Sequence, residues 1–357
     1  MPRPSRPFLS LPLLLACSDP APAAPVITLA PATDTVQTTY AEVTEGAWLG
    51  NDRWAVVAPL DVTVSIVDPA ARTVRPLGGD RTKELKHPSG VFVLADTLYV
   101  TDWGLRRTTL WTLDGRLVRA IPAADAVRGA LPRARDGQGR FYLELGPRPG
   151  PDGSGNRDSA AVLRTDPQFR TADTVARLAP LDIAEVGGDG GRRFERRVFS
   201  GADRWGALPD GALWVARVYH NRVDWRAPDG QWDEGDPLPD RVLEVTRYDR
   251  ELFFQKFPPE LRSTAEQLPF APVKPPFENG FTAPDGTVWL EKSRAPADST
   301  RQYHLVGREG HLMRQIRDPG SGRIVAVGPA AALVAERGPG GARLLIFPLP
   351  ITGGSLP

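Results

Sequence analysis

Charged and polar side chains recur directly after short apolar segments along this chain, and their types suit the binding of a polar ligand. Two of the segments, 98–102 and 213–217, end in this way. Loop ends that collect charges of both signs often carry function. The candidate binding residues are Asp102, Trp103, Glu144, Arg217, His220, Asn221, Glu291, Lys292 and Arg337. A solvated loop surface has the same composition without any ligand, so both interpretations stay open.

These residues need repeated elements to bring them together. The apolar segments begin at residues 54, 98, 141, 213, 288 and 333, so three of the five spacings are 43 to 45 residues. The two longer spacings are consistent with the same unit carrying insertions of about thirty residues, and a period of ~40–45 residues built from strands is typical of a β-propeller. We therefore predict an all-β fold, a six-bladed β-propeller, with the second strand of each blade ending on one rim.

Composition agrees with a single globular unit. The chain has 357 residues, of which 41% are hydrophobic and 24% charged, as expected for a protein with a sizeable core. Its 35 glycines and 37 prolines predict many turns. The net charge of +1 gives no general attraction to nucleic acid. We expect a monomeric propeller over residues 35–349 that binds no nucleic acid.

Blade two, at about 87–122, carries the clearest repeat. It contains Pro88-Ser89-Gly90-Val91, then Tyr99-Val100-Thr101-Asp102, and an Asp114-Gly115 pair that is a strong hairpin signal. In these motifs the chain resembles the NHL-type and TolB-like six-bladed propellers. The resemblance implies a ligand site at the channel mouth. The other blades are predicted at 41–79, 133–180, from about 203, 278–317 and 322–349.

The last blade lacks one strand candidate. Its segment has room for three strands, and an open edge would invite aggregation. Residues 35–39 alternate as a strand should, and we predict that this N-terminal strand closes blade six.

A helical insertion is predicted between blades four and five. Thr246 can cap a helix and Asp249 suits its first turn, which favours a helix ending before Pro258, although a hairpin over 246–257 is the alternative. Residues 258–277 are expected to form a crossing loop. The basic run 192–197 could contact an anionic partner, but self-paired charges in a solvated loop are the interpretation we favour.

Large aromatic residues occur once in most repeats and could either stack on a ligand or pack between blades. Regular recurrence favours packing, because aromatic side chains bury large areas. They are Trp54, Tyr99, Tyr142, Trp214 and Trp289.

The first residues have the layout of a secretory signal. Arg3 and Arg6 precede a short apolar run that ends in Leu14-Leu15-Ala16-Cys17, the chain's single cysteine. This ending resembles a bacterial lipoprotein signal, which implies a signal peptide over 1–16, lipid on Cys17 and attachment to the cell envelope. Ser18 after the cysteine favours the outer membrane. Residues 17–34 are predicted to be a flexible tether, and 350–357 a C-terminal tail.

Common enzyme motifs do not occur in the sequence. It contains no Gly-x-Ser-x-Gly, His-Glu-x-x-His or Gly-x-x-x-x-Gly-Lys. The leading hypothesis is therefore an envelope-anchored module that needs no cofactor and binds a protein or a small solute, with a scaffold that binds nothing in its channel as a third possibility. The alternative comes from Glu45 and Asn279, whose surroundings resemble those of metal ligands in gluconolactonase/SMP-type propellers. That resemblance implies a calcium-dependent hydrolase of lactones or similar esters.

Overall fold

The computed structural model describes residues 24–79, 84–148, 159–187, 193–318 and 320–350. The predicted signal peptide, Cys17 and residues 351–357 of the predicted tail lie outside the described residues. None of the helices in these ranges is both long and apolar enough to cross a membrane.

Strands dominate the regular structure, with two single 3-10 turns at Pro59–Asp61 and Asp125–Val127. In chain order the elements are β1 Val26–Thr28, β2 Asp34–Gln37, β3 Glu45–Gly50, β4 Arg53–Ala58, β5 Thr63–Asp68, β6 Thr73–Pro76, β7 Pro88–Leu94, β8 Thr97–Asp102, β9 Arg107–Thr112, β10 Leu117–Pro122, β11 Pro132–Arg135, β12 Phe141–Leu145, β13 Ala161–Thr165, β14 Ala172–Arg177, β15 Ile183–Val186, β16 Arg193–Arg196, β17 Arg204–Ala207, β18 Leu213–Arg217, β19 Arg222–Arg226, β20 Trp232–Asp233, α1 Arg247–Phe254, α2 Pro259–Glu266, β21 Phe277–Thr282, β22 Val288–Lys292, β23 Arg301–Val306, β24 Leu312–Asp318, β25 Arg323–Val327, β26 Ala331–Gly338 and β27 Gly341–Pro348.

Six sheets form the blades of a ring, which confirms the predicted six-bladed β-propeller. Blades one to four are β3–β6, β7–β10, β11–β14 and β17–β20, and blades five and six are built on β21–β24 and β25–β27. The first strand of each blade lies innermost, because contacts between blades run mainly through β3, β7, β11, β17, β21 and β25.

The hydrophobic core is divided among the gaps between blades. Each of six buried clusters joins two neighbouring blades; Trp54 and Leu333, for example, share the cluster between blades one and six. The recurring aromatic residues are all at most 3% exposed, which confirms that they pack rather than face a ligand. Burying such side chains in the gaps links each blade to its neighbours.

The N-terminal strand closes the ring as predicted. Strand β2 pairs antiparallel with β27, and Val36 lies opposite Leu344. Val36 is 2% exposed and belongs to the core between blades six and one. The edge of the last blade is therefore covered by the start of the described chain.

A second N-terminal strand was not predicted. Residues 26–28 form β1, which pairs in parallel with β24 and adds a fifth strand to blade five. Leu29 follows it and is 3% exposed. The tether prediction over 17–34 is therefore wrong from Val26 onward, because this segment is bound to the propeller.

The insertion after blade four is helical, as predicted, but longer. Thr246 caps α1: its Oγ1 accepts from the Asp249 backbone N–H at 3.2 Å, and the Asp249 carboxylate accepts from the Thr246 N–H at 2.9 Å. The crossing loop predicted from residue 258 is wrong in part, because α2 begins at Pro259. Proline has no backbone N–H, so it fits the first turn of a helix where none is needed.

The insertion after blade three forms a hairpin, β15–β16. Arg193 pairs with Glu195 at 3.4 Å and Arg197 with Asp182 at 3.2 Å. These pairs agree with the interpretation of the basic run as a self-paired surface segment.

Candidate functional site

The innermost strands line a cavity of about 1350 Å³ along the axis of the ring. Antiparallel pairing places the start of each inner strand beside the end of the second strand, so Asn279 lies opposite Glu291. Charged and aromatic residues from different blades therefore meet at one end. We define the channel mouth by Glu45, Trp103, Arg133, Glu144, Arg204, Trp205, Glu278 and Arg323.

Small residues allow the inner strands to lie flat against the strands behind them. A Cβ added at Gly206 would lie 2.7 Å from the Trp214 Nε1, and one at Gly280 would lie 2.9 Å from a Leu290 methyl. The Trp214 Nε1 donates to Thr282 Oγ1 at 2.7 Å, which ties blade four to blade five behind the channel wall. Larger residues on these strands would force the wall into the channel.

Arg133 is held by an ion pair and an aromatic ring. Its Nη1 lies 2.8 Å from a Glu144 oxygen, and the same oxygen accepts from the Trp205 Nε1 at 2.8 Å. The guanidinium lies 5.3 Å from the Trp205 ring centre. Its charge is therefore largely balanced within the mouth.

Arg323 is also balanced, by a carboxylate behind the channel wall. Glu291 is 1% exposed and accepts from Arg323 and Arg301, both at 2.6 Å. A buried carboxylate shared by two guanidiniums keeps Arg323 in place. Burial acts to lower the pKa of Arg323, but the charge of Glu291 and the hydrogen bond to its carboxylate contribute to a pKa that is raised on balance.

Arg204 differs, because it forms no salt bridge with any described residue. Its Nη2 donates to the backbone carbonyl of Glu278 at 2.6 Å, whereas its Nε is buried without an acceptor among the residues that the structure describes. Burial lowers the pKa of Arg204, the nearby cations Arg133, Arg196 and Arg323 lower it further, and the Glu144 carboxylate acts in the opposite direction. The mouth thus holds a guanidinium that forms no ion pair of its own with the described residues.

Glu45 contributes a carboxylate of unusual basicity. Its side chain faces the channel, which is open to solvent, but the inner strands surround it on the other sides. A Cβ on Gly90, for example, would lie 3.3 Å from the Glu45 Oε2. This enclosure raises the pKa of Glu45 to about 7, although Arg133 and the Val91 backbone N–H act to lower it. The charge of the mouth therefore changes near neutral pH.

Two of the nine predicted binding residues lie in the channel mouth. Trp103 is 61% exposed there, and Glu144 holds Arg133. Asp102 is adjacent in sequence but fully buried, and its carboxylate accepts from the backbone N–H groups of Lys86, His87 and Leu105. Asp102 thus shapes the loop that presents Trp103.

The other predicted residues do not line the channel. Arg217 bridges Asp203 and Asp224, His220 is exposed, and Arg337 pairs with Glu42 at the surface. Glu291 lies behind the wall, where it supports Arg323. Lys292 lines a separate cavity between blades four and five, and its Nζ lies 3.4 Å from Asn221 Oδ1. The single rim site expected from the sequence is therefore divided.

Sequence reasoning missed the arginines of the mouth. Arg133, Arg204 and Arg323 stand at or beside the start of an inner strand, whereas the prediction considered the ends of second strands. The signal was available: in every blade except the second, following the hairpin backward from its second strand leads to a charged residue at or beside the start of the inner strand.

A divalent cation does not fit the channel mouth. Glu45 and Asn279 both line it, as the alternative hypothesis requires. However, three guanidiniums share the space, and within the described ranges no group of three His, Cys, Asp or Glu residues could hold a metal. Calcium needs six to eight oxygen ligands, and adjacent cations oppose its binding. We therefore derive no reaction through a metal.

Comparison with known proteins gives only distant similarities, all of them to solved structures. No protein-family model and no curated protein match the chain. Among solved structures, it is similar to virginiamycin B lyase from Staphylococcus aureus, with 8% identity, coverage of 88% of this chain and 98% of that chain, and a TM-score of 0.45. It is also similar to a calcium-binding regucalcin from Agrobacterium tumefaciens, with 10% identity, 92% and 96% coverage, and a TM-score of 0.45. A putative gluconolactonase gives 13% identity, 90% and 94% coverage, and a TM-score of 0.48. Similarity at this level says nothing about ligand or activity.

Proposed function

We propose that this propeller is a binding module that captures a small solute bearing a carboxylate or phosphate group in the channel mouth. The observation that carries the proposal is Arg204, which lines the channel mouth and forms no salt bridge with any described residue. A guanidinium in such a position binds an oxyanion through charge-assisted hydrogen bonds.

The neighbouring residues suit the rest of such a solute. Trp103 presents an exposed ring at the mouth, on which an apolar or aromatic part can lie. Arg133 and Arg323 already pair with Glu144 and Glu291, so we assign the direct contact with the anion to Arg204. The two paired arginines contribute to the electrostatic potential around it. The ligand is therefore expected to combine one anionic group with an apolar body.

A ligand panel with matched variants tests this proposal. Small carboxylates and phosphate esters, with and without an apolar part, are screened by the shift in melting temperature. A compound that stabilises the wild type should not stabilise Arg204→Ala, because the anion loses its guanidinium. Arg226→Ala, which removes an arginine on β19 of the same blade outside the channel, is the control and should respond like the wild type.

Two results would contradict the proposal. One is a panel in which no compound stabilises the wild type. The other is a stabilisation that Arg204→Ala retains in full.

We also propose that the module is anchored by lipid on Cys17 in the bacterial envelope, facing the periplasm from the outer membrane. The arrangement Leu14-Leu15-Ala16-Cys17 supports this proposal. In bacterial cells that express the full chain, an alkyne palmitate analogue should label the wild type but not Cys17→Ser. Equal labelling of both, or an unlabelled wild type in the cytosolic fraction, would refute the anchor.

A further inference from the structure

A second cavity of about 620 Å³ lies between blades four and five, apart from the channel mouth. One wall is a face of blade five, where His304 lies opposite Gln315 and Gln302 opposite Arg317. Residues 239–243, which follow blade four, form the opposite wall, and the segment after β22 completes it. Neighbouring blades and a crossing segment thus enclose a polar cleft.

Cations outnumber carboxylates around this cleft. Arg241, Lys292, Arg294 and Arg317 line it together with two aspartates, Asp240 and Asp298. The Asp298 carboxylate accepts from the Ala295 backbone N–H at 2.9 Å, so it stabilises the loop to which it belongs. Arg241 and Arg317 are exposed and form no ion pair with the described residues.

Lys292 lies at the buried end of the cleft. Its side chain is 7% exposed, and its Nζ lies 3.3 Å from Asp240 and 3.4 Å from the Asn221 amide oxygen. Burial lowers the pKa of Lys292, while Asp240 opposes that effect. A buried ammonium with one partly exposed carboxylate at this distance is incompletely neutralised.

Two buried polar atoms without partners lie near this charge. His304 is 4% exposed, and its Nδ1 has no partner among the described residues. The Ser293 hydroxyl is likewise buried without a partner in that part of the chain. Buried polar atoms normally find partners, so two such atoms beside Lys292 point to a bound molecule.

We propose that this cleft binds a small, multiply charged anion, with Lys292 at its centre and Arg241 and Arg317 at its opening. The described lining contains no Phe, Tyr or Trp, which favours a compact polar molecule over one with an apolar body. A phosphate group and a short dicarboxylate share this chemistry. The proposal is independent of the ligand of the channel mouth, because the two cavities share no lining residue.

The test is isothermal titration of inorganic phosphate and, in a second arm, succinate, at an ionic strength held constant with sodium chloride. The full chain carrying Arg204→Ala is used throughout, so that anion binding at the channel mouth does not contribute. One site per chain is expected for at least one of the two anions, and the arm that binds identifies the anion class.

Variants then locate the site. Lys292→Met should abolish binding, and Arg317→Ala should weaken it by about tenfold, the loss expected for one charge-assisted hydrogen bond. Arg314→Ala is the control, because Arg314 is on the same strand but on its other face. If Lys292→Met does not fold, Arg317→Ala and Arg241→Ala still test the site. Binding of neither anion, or undiminished binding by the variants, would overturn the proposal.

Discussion

At the scale of single residues, whether a charged side chain can bind a ligand depends on whether it already has an ion-pair partner. Arg133 and Arg323 are neutralised by Glu144 and Glu291, whereas Arg204 is not. A sequence lists all three arginines as equivalent. The property that makes Arg204 a candidate for ligand binding arises only from which strands stand beside it.

Glu45 gives the mouth a dependence on pH. Because its pKa is raised to about 7, the folded protein binds a proton that the unfolded chain has lost between about pH 4.5 and 7. Folding stability should therefore fall as the pH rises through this window. Glu45→Gln removes the ionisation, so its advantage in melting temperature over the wild type should be larger at pH 8 than at pH 5.

The same carboxylate should affect anion binding. Protonation of Glu45 below pH 7 removes a negative charge close to Arg133, so an anion identified in the panel should bind more tightly at pH 6 than at pH 8. In Glu45→Gln this difference should shrink. A wild type whose stability and anion affinity are both independent of pH across this range would contradict the assignment.

At the scale of elements, the sequence predicted the repeats well and their neighbours less well. Asp-Gly turns and alternating strands are local signals, and so is the cap formed by Thr246 and Asp249. Helix α2 was missed because Pro259 suggests a break in the chain, although proline is favourable in a first turn. Strand β1 was missed because a three-residue strand in the short stretch between Pro25 and Pro31 carries almost no periodic signal.

The cap of α1 gives a graded prediction for folding stability. Thr246→Ala removes the hydroxyl that caps α1 by accepting from the Asp249 backbone N–H, and it should reduce the free energy of unfolding by about 1 kcal/mol. Asp249→Ala should cost more, roughly 3 kcal/mol, because it also leaves Lys274, 2.5 Å from its carboxylate and 9% exposed, without that ion pair.

Urea denaturation of both variants provides the measurement. Thr246→Ser keeps the capping oxygen and serves as the control, so its stability should remain close to that of the wild type. Equal losses for Thr246→Ala and Asp249→Ala would mean that the pair with Lys274 contributes nothing.

At the scale of the whole molecule, the order of the blades follows from the sequence but the site does not. Six similar segments predict a ring, and the missing strand of blade six predicts its closure by residues 35–39. The channel mouth depends on side-chain pairs that form where the six blades meet, such as Glu291 of blade five with Arg323 of blade six. Spacing along the chain cannot distinguish these pairs from the surface pair of Arg337 with Glu42.

Closure of the ring leads to a prediction for shortened chains. A chain beginning at Ala24 keeps both N-terminal strands and should be a folded monomer. One beginning at Asp34 lacks β1 and Leu29, so it should melt at a lower temperature but remain monomeric. One beginning at Ala41 also lacks β2, which exposes the edge of β27 and opens the core around Val36. We expect this last chain to oligomerise or aggregate.

Size-exclusion chromatography with light scattering and thermal melts distinguish these outcomes. A synthetic peptide of residues 31–40, added to the chain that begins at Ala41, should restore the monomer by pairing with β27. A peptide in which proline replaces Val36 should not restore it, because proline removes the backbone N–H and distorts the strand. If the chain beginning at Ala41 were monomeric and melted like the chain beginning at Ala24, β2 would not be needed to close the ring, and the prediction would be wrong.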